Sequence, residues 1–254
     1  GAAEPDIRFP APAIVQIDAR GGIAQVGFDR AFDVLCERAG SLGVAILSQS
    51  NAYSCGELGH YTRRLAHAGF VALAATNGSA HVAAGKSRSA VYGTNPLSFA
   101  APLADGPPLL IDQASSAAAF VTVRRAAEAG AELPDGWAID AEGEPTTDAR
   151  AAMRGALIAF GGRRGANIAL MVEVMAAGLT GASWSVDSPS FTEGEAPLDA
   201  GLLVIALAPD ILAPGFSTRL AVHLDRLSAQ GIHVPGRGVG YGRSVIELDR
   251  QLVD

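Results

Sequence analysis

The chain has 254 residues, 49% hydrophobic and 18% charged, with 30 Gly, few aromatics and a net charge of −7. Such a chain can bury a sizeable core in one large domain or two interleaved ones, which excludes disorder and points to an α/β or mixed α+β class. The acidic balance excludes wholesale nucleic-acid binding, no apolar run approaches the roughly 18 residues of a membrane span, and no export signal is visible, so neither nucleic acid nor membrane is an expected partner.

In chain order, the first predicted helix covers about 27–39, where Phe28, Ala31, Phe32, Leu35 and Cys36 recur at helical spacing and Gly40 supplies a stop. A buried strand, Val44-Ala45-Ile46-Leu47, is bounded by Gly43 and the polar Ser48-Gln49-Ser50-Asn51. Leu58, Tyr61, Leu65 and Ala68 then mark an amphipathic helix ending at Gly69, and 70–75 reads as the next strand, completing a β-α-β unit. Parallel strands joined through helices offer ligands their C-terminal ends, so segments 48–56 and 76–79 should line a cleft.

Gly93-Thr94-Asn95-Pro96 is a turn before a short strand over 97–101, and 109–112 is another strand ending in polar residues. The stretch 131–148 is rich in Pro, Gly, Asp and Glu and reads as a surface excursion; 149–160 is ambiguous. A helix is expected over 166–177 with Leu170, Met171, Val174 and Met175 as its buried face. A loop over 183–197, a strand over 202–207 and a helix containing 220–227 follow, with no internal repeat.

Gly161-Gly162-Arg163-Arg164-Gly165 places two cations and flexible backbone at a helix start, where free N–H groups attract phosphate or carboxylate; the bland alternative is a glycine turn with solvated arginines. Pro235-Gly236-Arg237-Gly238 and the glycines after it imitate dinucleotide-binding spacing, but no strand-helix-strand unit follows, which leaves a tail or a loop closing over a ligand. The five histidines form no metal-binding spacing, so no metal site is expected. His60, near a helix start beside the expected cleft, suits proton transfer near neutral pH or a structural role; His67, His223 and His233 read as surface or helix-end residues, and His81 has no assigned place. Asp112 ends a strand before Gln113-Ala114-Ser115-Ser116, where a carboxylate and backbone amides suit a ribose or nicotinamide, or cap a helix. Cys36 and Cys55 form no CxxC pair, which fits a reducing cytoplasm.

From about residue 21 to 236, an ordered series of motifs resembles the malate/L-lactate dehydrogenase family, which also includes ureidoglycolate, sulfolactate and diketogulonate dehydrogenases and the piperideine/pyrroline-2-carboxylate reductases. The series runs through Gly21-Gly22 with Gln25, Gly93-Thr94-Asn95-Pro96-Leu97-Ser98-Phe99-Ala100, Asp112 to Ser116, Pro134-Asp135-Gly136-Trp137-Ala138, Pro145-Thr146-Thr147-Asp148, Gly161 to Gly165 and Ala169-Leu170-Met171-Val172-Glu173. The resemblance implies a mixed α/β fold without the Rossmann fingerprint, a homodimer, and NADH or NADPH as hydride carrier in the reduction of a small 2-oxo or 2-imino acid, or the reverse. It puts the cofactor region at about 44–165, with a C-terminal part, about 166–254, returning to the core. Cofactor contacts fall on Asn51, Ala52 and Tyr53, on Asp112, Gln113 and Ala114, on Arg163 and Arg164, and on Pro235, Gly236 and Arg237; Thr94 lies near substrate.

Two departures matter. Relatives read Asn-His-Phe-Gly after the Val44 strand and use that His as acid/base; here the stretch is Asn51-Ala52-Tyr53-Ser54-Cys55-Gly56. Either His60, Tyr53 or Cys55 substitutes, or the substrate is an imine that arrives protonated. Relatives also carry several dozen preceding residues with a His and an Arg for the substrate carboxylate; two readings are open, a truncated sequence or a separate N-terminal chain that supplies them, and the second is the expectation. The competing expectation is a degenerate member that binds nucleotide or a partner without turnover.

Overall fold

The computed structural model describes residues 3–190 and 198–236. Its main sheet has seven strands: β1 (Asp6–Ala11), β2 (Ile14–Asp18), β3 (Val44–Ala52), β4 (Val71–Thr76), β6 (Leu97–Ala101), β7 (Leu109–Gln113) and β11 (Ala200–Leu207). Their spatial order is β1-β2-β3-β11-β4-β6-β7. The edge hairpin β1-β2 was not anticipated from the sequence.

The expected β-α-β unit is present with a change. β3 and β4 point the same way, but β11 lies between them, antiparallel to both. A strand from far along the chain thus fills the gap at the centre of the sheet, and the C-terminal ends of β3 and β4 still open on one edge. β3 also runs further than its apolar stretch: Ser48, Gln49 and Ser50 carry ladder pairs with β2, and Gln49 is fully buried. Strands on both sides satisfy the backbone here, so side-chain polarity does not end the strand.

Helix α1 (Ala24–Leu42) continues through the predicted stop. Gly40 is accommodated as an ordinary helical residue, whereas Gly43 sits at φ 85° and donates its N–H to Ala39, the left-handed stop that glycine tolerates best. Helix α2 (Gly59–His67) links β3 to β4. Phe28, Leu35, Leu47, Tyr61, Leu65 and Leu202 form the largest part of the core between these helices and the sheet, each such burial being worth about 1.5–3 kcal/mol.

A second sheet of four short strands, in the order β5-β10-β8-β9, comprises β5 (Val82–Ala83), β8 (Ala138–Ile139), β9 (Pro145–Thr146) and β10 (Ala156–Ile158). With α3 (Phe120–Ala129) and α4 (Ala149–Arg154) it encloses a smaller core around Val82, Val123, Leu133 and Leu157. The stretch read as a surface excursion therefore contributes β8 and β9, and the ambiguous 149–160 is a helix followed by a strand.

The largest correction concerns α5 (Arg163–Glu173) and the π-helical turn Val174–Gly178 that extends it. Three of the four residues of the expected buried face are turned outward: Leu170, Met171 and Val174 are 48%, 45% and 46% exposed, and Met175 is half-buried. Gly165, Ala166, Ala169, Val172 and Glu173 face inward instead. The helix approaches the sheet so closely that a Cβ on Gly201 of β11 would overlap the carbonyl of Ala176, leaving room only for small residues. Helices α6 (Pro209–Leu212) and α7 (Phe216–Ala229) follow β11, and Gly236 returns against the backbone of Pro108 and Leu110 at the start of β7.

Candidate active site

At the open edge where β3 and β4 end lies a cavity of about 400 Å³, lined by Ser54, Cys55 and Gly56 after β3, by Thr76, Asn77, Gly78, Ser79 and His81 after β4, by Thr94 and Pro96, by Phe120 and Val121 of α3, and by Leu198 and Ala200 at β11. Both loops expected from the strand ends contribute, the first through 54–56 rather than through its whole length.

Each wall is tied down. Gln25 of α1 donates its Nε2 to the Cys55 carbonyl at 3.1 Å, and the Tyr61 hydroxyl donates to the same oxygen at 2.6 Å. The Thr76 hydroxyl donates to the Gly201 carbonyl at 2.6 Å, while Asn77 accepts from Gly201 N–H at 3.0 Å and donates to the Ser183 carbonyl at 2.8 Å. Gly93 approaches so near Gly78 that a Cβ would lie 2.9 Å from its carbonyl oxygen, which explains the glycine at the head of the Gly-Thr-Asn-Pro turn.

That turn is anchored from behind. Asn95, at φ 37°, donates to the Ala169 carbonyl at 2.9 Å and to Glu173 at 2.6 Å. Glu173, 4% exposed, also accepts from the Ser185 amide and hydroxyl at 2.6 and 2.7 Å. The motif residues Asn95 and Glu173 thus lock together and hold Thr94 at the cavity. Ser115 continues the chain of contacts, donating its N–H to the Thr94 carbonyl at 2.8 Å and accepting from Phe160 N–H at 3.0 Å. Three stretches distant in sequence, around 94, 115 and 160, meet here.

Phe160 leads into Gly161 and Gly162, at φ 57° and 63°, with open space where side chains would be. Arg163 and Arg164 then form the first turn of α5, both exposed, and Arg163 lines a shallow recess of about 130 Å³ with Ala83, Ala84, Gly85 and Ser87. Unobstructed backbone, a helix N-terminus and two cations suit a phosphate group.

Asp112 does cap a helix, though across space: its carboxylate accepts from Gly59 N–H, the first of α2, at 2.7 Å. Partial desolvation raises its pKa, the Gly59 bond opposes this and Glu57 adds to it. Gln113 and Ala114 follow, exposed and half-buried, and Gly236 packs against the same strand. Arg237 lies outside the described residues.

The other candidates fall elsewhere. Asn51, at φ 57°, is held by Asp18 and Asp199, and Tyr53 is 58% exposed outside the cavity lining. Ala52 points into the core with no exposed surface, so its side-chain position does not face the cavity. His60, expected beside the cleft, packs instead against Phe28 and Tyr61, with ring centroids 6.1 and 5.2 Å apart, because α2 leans on α1; burial, then Arg64, lower its pKa. Cys55 does reach the cavity, but burial pushes its thiol up to about 11.

His81, left unplaced by the sequence, is in the wall. It is half-buried, its Nδ1 lies 2.8 Å from the Ser79 carbonyl, and its ring meets Phe120 edge-on at 4.7 Å. The one signal for it was its place two residues after a loop already assigned to the cleft. Among the described residues no cluster of His, Cys, Asp and Glu could hold a metal ion, and no helix is long and apolar enough to cross a membrane.

The malate/L-lactate dehydrogenase family model matches residues 1–240. The chain is 40% identical over 208 residues to a Δ1-pyrroline-2-carboxylate/Δ1-piperideine-2-carboxylate reductase of Pseudomonas aeruginosa, a match covering 82% of this chain but 62% of that protein's length. It is 36% identical to the (2R)-3-sulfolactate dehydrogenase (NADP+) of Chromohalobacter salexigens, over 89% of this chain and 68% of the relative. Among solved structures, the Δ1-piperideine-2-carboxylate reductase of Pseudomonas syringae superposes with a TM-score of 0.87 at 35% identity, covering 92% of this chain and 72% of the other.

Proposed function

The chain belongs to the malate/L-lactate dehydrogenase family, and from that membership we propose that it carries out nicotinamide-dependent hydride transfer to or from C2 of a small 2-oxo, 2-hydroxy or cyclic 2-imino acid. The observation that supports this most is the convergence of the stretches around Thr94, Ser115 and Gly161 between a cavity of about 400 Å³, within the range of small-ligand pockets, and an open cationic helix start.

The residues present fit a dinucleotide. Arg163, Arg164 and the first amides of α5 would hold phosphate, either the pyrophosphate or a 2′-phosphate; Asp112, Gln113 and Ala114, with Pro235 and Gly236 beside them, would meet ribose and nicotinamide. Bound reduced nicotinamide would supply the hydride. Thr94 offers a hydroxyl toward substrate, and Phe120, Val121, Leu198 and Ala200 give an apolar wall that excludes water. No Lys or Arg lines the cavity among the described residues, so the substrate carboxylate needs a lasting counter-charge from elsewhere. We assign that role to a preceding segment of the kind the family carries, on the same or a separate chain, in a cytoplasmic homodimer.

The test is incubation of the full-length protein with NADH or NADPH and, in turn, Δ1-pyrroline-2-carboxylate, Δ1-piperideine-2-carboxylate, pyruvate and oxaloacetate. The near-ultraviolet absorbance of reduced nicotinamide should fall with at least one pair. Constant absorbance with every pair would overturn the proposal.

A further inference from the structure

We propose that His81 is the proton donor to the C2 oxygen or nitrogen of the substrate in the cavity between the ends of β3 and β4, an assignment that rests on the hydride-transfer reading above.

The residues that sequence reasoning placed in this role are turned away from the cavity or unsuited to it. Ala52, where relatives carry the acid/base histidine, has no ionisable proton and faces the core, Tyr53 stands outside the lining, and His60 is packed among the aromatic rings of α1 and α2. The lining contains two titratable side chains among the described residues, Cys55 and His81. Cys55 is buried, its sulfur 3.9 Å from the Gly201 carbonyl, and a thiol pushed up to about 11 keeps its proton. The hydroxyls of Ser54, Thr76, Ser79 and Thr94 can donate hydrogen bonds but do not ionise near neutral pH. Among the described lining residues, His81 alone combines a place in the wall with a proton that exchanges in the physiological range.

The ring is held as a working acid would be. A carbonyl only accepts, so Nδ1 carries a hydrogen and donates it to Ser79 at 2.8 Å, which fixes the tautomer and leaves Nε2 as the atom that gains and loses the proton. The main chain of His81 is pinned on both sides, its N–H donating to Tyr92 at 2.7 Å and its carbonyl accepting from Leu157 at 2.9 Å. Phe120 packs edge-on at 4.7 Å and restricts ring rotation. On reduction, hydride adds to C2, the C2–heteroatom π pair takes the Nε2 proton, and the products are the 2-hydroxy or 2-amino acid, oxidised nicotinamide and neutral His81, which is reprotonated from water. In the reverse direction neutral Nε2 removes the same proton.

Burial lowers the His81 pKa and the Ser79 bond partly offsets this. Among the described residues, those that share the wall or the paired segment with it are Cys55, Tyr92 and the uncharged Phe120 and Val121 of α3, and no carboxylate, Lys or Arg is among the described lining residues. Reduction should therefore weaken as pH rises through a value below the usual histidine range.

The test uses full-length wild type, His81→Asn, which keeps a donor for the Ser79 carbonyl, and His81→Gln, on whichever substrate the wild type reduces, at the pH where the wild type is most active. The expected result is a kcat lower by about 10²-fold or more with KM changed only a few-fold and cofactor binding retained. Independently, the ring resonances of His81 in wild type should shift on addition of oxamate, an unreactive isostere of a 2-oxo acid, at a concentration that inhibits turnover. If the wild type is active and both variants retain kcat within a factor of about three, or if the ring resonances do not move with inhibitory oxamate, the assignment to His81 is wrong while the hydride-transfer reading stands. An inactive wild type would sink the reading itself. Should both variants fail to fold, the oxamate titration of the wild type decides.

Discussion

Glu173 is a charge kept inside the fold by geometry. Its two oxygens take donors from the Ser185 amide, the Ser185 hydroxyl and Asn95, so the desolvation cost of a buried carboxylate is offset by three short hydrogen bonds. Glu173→Ala leaves those donors without their acceptor and should cost about 3 kcal/mol in urea unfolding; a change below about 1 kcal/mol would contradict the bonding described here. Because Asn95 also positions the Thr94 turn, the same variant should weaken substrate binding more than cofactor binding. Cys55 offers a second residue-level test. Its thiol is buried and pushed up to about 11, so in the native protein at neutral pH it should resist a disulfide reagent that labels it promptly after denaturation. Rapid native labelling would show that the loop 54–56 opens.

At the scale of elements, two glycines three residues apart near the end of α1 should respond in opposite directions. Gly40 is helical, with space around it, so Gly40→Ala should stabilise by about 0.5–1 kcal/mol through the lost freedom of the unfolded chain. Gly43 occupies the left-handed stop at φ 85°, where alanine should cost about 1 kcal/mol. Thermal or urea unfolding of the two variants checks the pair, and equal signs would mean that the helix ends where Gly40 suggested. The same contrast explains why α5 reverses the face its hydropathy implies: contact with Gly201 selects small inward residues, and the larger Leu170, Met171 and Val174 are left outside.

Across the whole molecule, β11 is the keystone, since it bonds β3 along one side and β4 along the other and is buried over nearly its full length. The hairpin strand β1 is an edge with mostly exposed residues. Hydrogen exchange should therefore be slowest at backbone amides of β11, β3 and β4 and much faster in β1, because opening the centre requires near-global unfolding whereas the edge can fray. Comparable protection in β1 and β11 would refute the sheet order.

The sequence by itself determined the elements whose signals are local: the helices at Phe28 and Tyr61, the strands at Val44 and Leu97, the Gly-Thr-Asn-Pro turn, and the two strand-end loops that line the cavity. Apolar spacing and glycine punctuation act over a few residues, so they can be read without knowing what lies opposite. The insertion of β11 between β3 and β4, the inward face of α5, and the exclusion of His60 and the inclusion of His81 at the cavity were decided only by the tertiary structure. Each depends on a partner remote in the chain: Gly201 against Ala176, Phe28 against His60, and Phe120 against His81. A histidine's neighbours, more than its own position in a helix or loop, decide whether it packs against other rings or lines a cavity.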